Sequence, residues 1–442
     1  MTSSTITPPE TTRSRAPSLA GISLGYFMIL MDMTVLSVAE PDLARSLGGS
    51  VAGLQWAVTG YTVAFAALLL SAGAVADRYG AHRVFRAGII LFGLGSLLSA
   101  AAPNLWTLVA LRALLGIAAA AAVPASMAMV TRLYPDPARR AKAVSIWAAT
   151  SGAALAAGPI AGGLLVELAG WRAIFLINVP LAVLVLALTA GSQVICPRSD
   201  RPIDWTAQFA AFATLALLTG ALIDHAIWPG VAALAAAAAF GWAERRSATP
   251  VLAPAVLRAP RMAASLLAGA AVNFTMTGVL FVLPLLFQHA LTYGPLATGL
   301  AFLPMTVPFA VNPLLTGRIV ARAGPRPPVL LGLSLLLAGP GWVGVCALAG
   351  AGYLPYVPGL LMIGFGVSFS LPALVATVVA AAPAGMAGAA GGLLNAVRQV
   401  GATFGVAVLG TFVSVQGGGA GWALLLAAVT SGAAGLALRC WT

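Results

Sequence analysis

Ionisable side chains are rare in the long apolar runs of this 442-residue chain, and three stand well inside them: Asp32, Arg112 and Arg398. A charge in hydrocarbon costs a few kcal/mol on insertion scales, so such residues are functional candidates by default. Asp32 precedes by nine residues Pro41, where its run is expected to close; Arg112 follows by seven residues Leu105, where its run opens. At the helical rise these are depths of ~13 Å and ~10 Å from one face. A carboxylate and a guanidinium at matched depth can pair or exchange partners. Burial favours the neutral carboxyl and a neighbouring cation the charged one, so an acid balanced between them can take a proton from one side and release it to the other. The alternative is a permanent structural ion pair. Glu40, at the outer end of the same run, is a second acid that water can reach. Arg398 has no evident carboxylate; a substrate acceptor, a backbone carbonyl near Gly401, or Asn395 could receive it.

Two other segments carry mechanical chemistry. From Gly73 to Arg83 an apolar run ends in Asp77, Arg78, Gly80 and Arg83. Asp77 can cap a neighbouring helix or pair with a basic loop residue, and Gly80 permits a tight turn. Contacts that exist in one conformation only make such a segment a latch. Gly152, Gly158, Pro159, Gly162 and Gly163 place a helix-bending dipeptide among small residues. Proline removes a backbone bond and glycine allows close approach, though each alone is ordinary packing.

The elements that must position these residues are membrane helices. The chain is 60% hydrophobic and 8% charged, and apolar runs of helix-spanning length recur from end to end. That composition excludes a soluble protein and lacks the alternating segments of a β-barrel. Spans are expected at 19–41, 52–76, 84–102, 105–131, 142–166, 172–192, 205–224, 227–243, 263–287, 296–317, 328–350, 354–379, 388–414 and 418–438, the eighth being short. The net charge of +12 is concentrated in alternate loops, while the opposite loops hold only Arg45 and Arg172. Positive charge marks the inner face, so both termini are expected in the cytoplasm and the chain in the cell membrane.

The chain also repeats. Gly73 to His82 returns in degenerate form from Gly317 to Arg326; Gly116 and Pro124 match Gly364 and Pro372; Pro41 matches Pro284. Two like-oriented repeats in a membrane are an architecture of secondary transporters. The predicted organisation is a disordered cytoplasmic tail (1–18), a six-helix half (19–192), an inserted helix pair with linkers (193–262) and a second six-helix half (263–442). Thr275 occupies the position of Asp32 in the second half, so the fold does not require the acid.

Other chemistries find no support. No Gly-rich loop ends in Lys-Ser or Lys-Thr, so a built-in ATPase is excluded. Cys196, Cys346 and Cys440 form no CxxC, and His82, His225 and His289 do not cluster, so neither metal nor cofactor is expected. With short loops there is no room for a catalytic domain, and the chain is not read as an enzyme.

Taken together, these residues resemble a family. Leu30-Met-Asp32-Met-Thr34-Val-Leu-Ser37-Val-Ala-Glu40-Pro41 resembles the first-span motif of the fourteen-span drug:proton antiporters of the major facilitator superfamily. Gly73 to Arg83 resembles the superfamily's cytoplasmic signature. Leu111-Arg112 to Gly116 and Pro124-Ala-Ser126 resemble its fourth span, and Gly158-Pro159-Ile-Ala-Gly162-Gly163 its antiporter helix. Gly170-Trp171-Arg172 to Phe175-Leu-Ile-Asn178-Val-Pro180 also fits. The chain departs at Ser37, where asparagine is usual, at Glu40, where leucine is, and at Ala81 and His82. The resemblance implies an all-α major facilitator fold, proton coupling at Asp32 and Arg112, a latch at Asp77 and Arg78, and efflux of amphipathic drugs or antibiotics.

Polar and aromatic side chains within spans are candidates for the substrate cavity, although many could simply pack: Tyr26, Gln55, Trp56, Tyr61, Trp147, Asn273, Phe281, Gln288, Phe302, Asn395 and Arg398. The partners expected are a small-molecule substrate, protons and membrane lipid, with no nucleic acid, the protein acting as a monomer. Two other readings stay open, a proton-coupled metabolite importer and a non-transporting membrane receptor or scaffold.

Overall fold

The structure, a computed structural model, describes residues 15–190, 204–247, 254–259, 262–383, 386–413 and 418–440. These residues are helical almost throughout. The first half holds α1 (Arg15–Leu47), α2 (Val51–Tyr79), α3 (Ala81–Ala100), α4 (Leu105–Leu133), α5 (Pro137–Ala169), α6 (Ala173–Leu176) and α7 (Asn178–Ala190). Then come α8 (Trp205–Asp224), α9 (Ile227–Arg246) and the short α10 (Pro254–Leu257). The second half holds α11 (Met262–His289), α12 (Pro295–Ala301), α13 (Leu303–Val311), α14 (Pro313–Ala323), α15 (Arg326–Leu348), α16 (Tyr356–Ala381), α17 (Ala387–Val413) and α18 (Gly419–Cys440).

Thirteen of the described helical segments are long and apolar enough to cross a membrane. Their outer surfaces leave Leu98, Phe209, Leu234 and Leu436 bare, which only a lipid solvent tolerates at this density. The protein is a multi-pass membrane protein.

Local chemistry sets the helix ends. Ser50 caps α2 at Gly53, Asn104 caps α4 at Thr107, and Asp136 caps α5 at Arg139 with Pro137 in the first turn. Gly80 ends α2 at φ 92°, and Gly324, its counterpart in the repeat, ends α14 at φ 78°, a region that favours glycine. The seven residues from Gly73 to Tyr79 are therefore helix and the turn is Gly80 itself, not a loop opening at Gly73.

Several expected boundaries move. Residues 15–18 belong to α1 rather than to a disordered tail, while 1–14 lie outside the described residues, as does most of the linker before α11. Pro41 and Pro284 do not close their helices; each sits inside one, because surrounding backbone bonds outlast the single bond a proline removes. α9 runs to Arg246 and is not short. The single span expected at 296–317 is three consecutive short helices. Pro304, Pro308 and Pro313 remove successive donors, and Phe302 and Asn312 bridge the breaks in right-handed conformation. Likewise the span expected at 172–192 is divided at Ile177, three residues before Pro180.

The helix neighbour map of the first half recurs in the second. α1 packs on α5 and α7 as α11 packs on α17 and α18; α3 packs on α4 as α15 packs on α16. Glycines mark the same joints. A Cβ on Gly116 would meet the Tyr61 carbonyl of α2, and one on Gly364 the Met305 carbonyl of α13. α8 and α9 form a hairpin, with α8 lying against α2 and α17. There Gln208 donates to the Ala67 carbonyl and accepts from Ser71.

Helices alternate in direction, so Gly80, Arg139 and Gly324 share one end of the bundle, the basic end, and Ser50, Asp224 and His289 the other, the far end. The hydrogen bonds joining the halves lie in the middle and the far part. Gln55 Nε2 donates to the carbonyls of Val406 (3.0 Å) and Ala407 (2.8 Å). Gln288 Nε2 donates to the Val38 carbonyl at 3.0 Å, and the hydroxyls of Thr403 and Thr62 lie 2.8 Å apart. At the basic end α14 packs on α13, α15 and α16 of its own half. The bundle is closed at the far end and parted at the basic end.

Candidate functional site

Four helices of the first half converge on Asp32. Its Oδ2 accepts from Arg112 Nη1 at 2.5 Å and its Oδ1 from Asn178 Nδ2 at 2.9 Å. Arg112 Nε donates to the Ala57 carbonyl at 3.2 Å, and the guanidinium lies 4.6 Å from the Tyr61 ring centroid. Asn178 also reaches Ser96 Oγ at 3.3 Å. Asp32 and Arg112 are 0% and 1% exposed. Two charges this deep persist only when paired and hydrogen-bonded, and both carboxylate oxygens are. The pair expected from matched depth therefore exists, inside one half and away from the gap between halves.

Sequence reasoning quoted Asn178 within a motif without giving it this role. An amide facing an acid across a helix pair leaves no local signature; the signal was a polar residue at the end of the segment opened by Trp171.

A cleft lies between the halves toward the basic end. Tyr26 of α1 stacks on Trp147 of α5, with centroids 4.1 Å apart and planes at 10°. Trp147 Nε1 donates to Ser126 Oγ at 3.1 Å. From the second half Arg398 Nε donates to Asn273 Oδ1 at 3.1 Å and its Nη1 to Asn395 Oδ1 at 2.9 Å. Arg398 faces Tyr26 across the gap. Five of the eleven expected cavity residues thus come together: Tyr26, Trp147, Asn273, Asn395 and Arg398.

The other six lie elsewhere. Tyr61 is buried beneath Arg112, and Phe281 and Phe302 fill the core of the second half, Phe302 5.9 Å from Phe287. Gln55 and Gln288 join the halves at the far end. Trp56 Nε1 donates to Asp224 Oδ1 of α8 at 3.4 Å. Side-chain type alone cannot tell these positions apart, because in a bilayer both the protein-facing and the lipid-facing sides of a helix are apolar.

The glycines of α5 divide by face. Gly158 and Gly162 lie against Thr34 and Val35 of α1, whereas Gly152 and Gly163 lie against Phe309 and Pro295 of the second half. Pro159, within α5, presents its carbonyl to Gly299. This helix is therefore a bearing between α1 and the second half.

In the Gly73–Arg83 segment Asp77, Arg78 and Arg83 are exposed; Arg78 lies 5.8 Å over the Tyr79 ring, and Asp77 bonds to none of the described residues. Glu40 is 1% exposed, and its Oε2 has no hydrogen-bond partner. Cys346 and Cys440 are free; Cys196 lies outside the described residues. No metal-ligating cluster occurs among the described residues.

Two like-folded helical halves around a cleft, with buried charge beside the axis, define a secondary-transporter class. The Major Facilitator Superfamily profile matches residues 22–406, and the chain belongs to that family. It is a transport protein. The chain is 33% identical to the multidrug resistance protein Stp of Mycobacterium tuberculosis, over 91% of this chain and 76% of that protein. It is 34% identical to a methylenomycin A resistance protein of Bacillus subtilis, over 94% and 92%. It is also 34% identical to the puromycin resistance protein pur8 of Streptomyces alboniger, over 89% and 80%. In fold it matches an inward-facing crystal structure of a bacterial homologue of the human lysosomal transporter Spinster, with a TM-score of 0.72 and 16% identity, covering 98% and 97% of the two chains. These relatives are named for resistance to drugs or antibiotics.

Proposed function

We propose that the protein exchanges protons for amphipathic small molecules such as drugs or antibiotics, exporting them across the cell membrane with its basic end in the cytoplasm. The observation that carries this reading is the cleft at Tyr26, Trp147, Asn273, Asn395 and Arg398, parted toward the basic end and sealed at the far end. The wide excess of Arg at the basic end supports the orientation. The relatives named for resistance to antibiotics support the cargo class. Buried acids in α1, Asp32 held by Arg112 and the unpaired Glu40, are the groups on which coupling rests.

The energetics suffice. One charge across 100 mV contributes about 2.3 kcal/mol, and one pH unit about 1.4 more. A single proton can then hold a substrate gradient of roughly several hundredfold. The exposed Asp77 is the released side of a latch that closes when the basic end closes.

Charge sets the cargo preference. No acidic residue follows Glu244, so the second half offers a cation no carboxylate, and Arg398 adds positive charge to the cleft. Neutral or monovalent compounds are carried, and divalent cations are poor substrates, because an uncompensated buried charge is costly. Counterflow of a fluorescent monovalent cation in proteoliposomes, with and without a pH gradient, tests the function. Flux driven by the gradient in the export direction supports it; uptake in the opposite sense marks an importer, and absence of flux a scaffold. Resistance profiling in a pump-deficient host tests the preference, and protection against a divalent biguanide alone would overturn it.

A further inference from the structure

Two of the acids in α1 are fully buried, and their surroundings differ. Asp32 has a cation and an amide on its two oxygens, both from the same half, so nothing in its shell changes when the halves rock. Glu40 has neither. It is as deeply buried, and Oε2 bonds to nothing.

Register places Glu40 on the working face of α1. Tyr26, Met33 and Glu40 are spaced by seven residues, so they fall on one stripe that drifts only ~20° per heptad. Burial deepens along that stripe. Tyr26 and Met33 are half-buried and Glu40 is closed off. On the far side of Glu40, its neighbour Pro41, Ala44 one turn on, and Arg45 line a cavity of about 500 Å³ with Gln288, His289 and Tyr293 of the second half. Glu40 thus stands in the plug between the far-end cavity and the stripe that descends to the cleft.

The charged groups on the helices packed against α1 are engaged with other partners or lie at the helix ends. On α1 itself Asp32 is paired, and Asp42 lies 3.5 Å from Arg45 and accepts from the Trp171 amide. α4 offers Arg112, already bound, and Arg132 at the basic end; α2 has its charges at the basic end. α5 has Glu167 at its far end, facing the Leu296 amide, and Arg139, Arg140 and Lys142 at the other. Arg172 before α6 stacks on Trp171 at 4.3 Å. His289 is exposed at the tip of α11. α7 and α12 carry no charged residue. None forms an ion pair or hydrogen bond with Glu40.

We propose that Glu40 carries the exchanged proton while Asp32 stays ionised with Arg112. A lone carboxylate so buried is costly, and a proton removes the cost. When the far end opens, water reaches Glu40 and the carboxylate takes a proton from that side. Closure occludes the acid, which is the state seen here. Cargo and water entering along Tyr26 and Met33 then release the proton into the cleft. The proposal rests on the antiport reading above, and its test separates the two.

The test compares wild type with E40Q, E40D and D32N. In proteoliposomes, E40Q is expected to lower pH-gradient-driven flux at least tenfold while keeping substrate exchange at equal pH. In infrared spectra of the purified protein, a protonated-carboxyl band is expected in wild type, absent in E40Q, shifted in E40D and kept in D32N. Driven flux in E40Q equal to wild type overturns the proposal, as does a band that E40Q leaves in place. Should E40Q not fold, an unshifted band in E40D overturns it. A wild type indifferent to the gradient but bearing the Glu40 band would instead end the antiport reading while leaving Glu40 a protonated site.

Discussion

The two halves solve the same packing problem with opposite chemistry. In the first, Asp32 of α1 meets Asn178 of α7 and draws in Arg112 of α4. In the second, Thr275 of α11 meets Ser431 of α18 at 2.7 Å and donates to the Ala427 carbonyl, and the position matching Arg112 is the buried Leu360. Hydroxyls satisfied by a helix carbonyl close that joint without an ion pair. The repeat therefore needs a polar contact between its first and sixth helices but no charge. The buried ion pair occupies this joint in the first half only, which is where coupling chemistry belongs if the matching joint of the second half stays neutral.

Removing one partner of the charged joint sharpens that contrast most. Arg112→Ala leaves Asp32 buried and uncompensated, with an expected loss of about 3–5 kcal/mol. Thr275→Val removes one neutral bond, with an expected loss of about 1 kcal/mol. Thermal unfolding in detergent measures both; equal losses would mean that the halves do not differ. Asp32→Asn strands Arg112 in the same way and is expected to abolish driven efflux.

Smaller effects are expected where the halves meet. Gln55→Ala removes two bonds at the far end, each worth about 0.5–1.5 kcal/mol, and favours opening there. Asp77→Asn weakens the basic-end latch and favours the parted state seen here. Labelling of engineered cysteines at each end reads both, and they should shift in opposite directions; shifts in one direction would break the assignment of the two gates. The smallest effect lies outside both halves. Asp204 caps α8 by accepting from the Ala207 amide at 2.9 Å, which with Ser247 holds its carboxyl below the usual range. A depressed acid stabilises above its unfolded pKa and loses that contribution as pH falls through its folded one. Asp204→Ala should cost about 1 kcal/mol at neutral pH and progressively less in acid.

Charges and glycines were the legible part of the sequence. Asp32 and Arg112 declared themselves because so little else in their runs is charged, Glu40 alone beside Asp32, and their pairing followed from depth. The depth argument reached the right pair from a wrong end, since Pro41 is inside α1 and the helix continues to Leu47. The repeat was legible from Gly116 and Gly364, which touch matching carbonyls because no side chain fits there. The breaks at Phe302 and Asn312 were hidden because Pro304, Pro308 and Pro313 kink a transmembrane run without making it polar. The true positions of Tyr61, Phe281 and Phe302 were hidden too. An aromatic reads alike whether it lines a cleft, packs a core or backs an arginine.

Cargo and proton must compete for the central account to hold, and protons can be counted directly. Purified wild-type protein in weakly buffered detergent, mixed with a monovalent amphipathic substrate, should acidify the medium in proportion to the protein present. The release should saturate with binding and vanish in E40Q. Saturable binding with no proton release at any pH would contradict it.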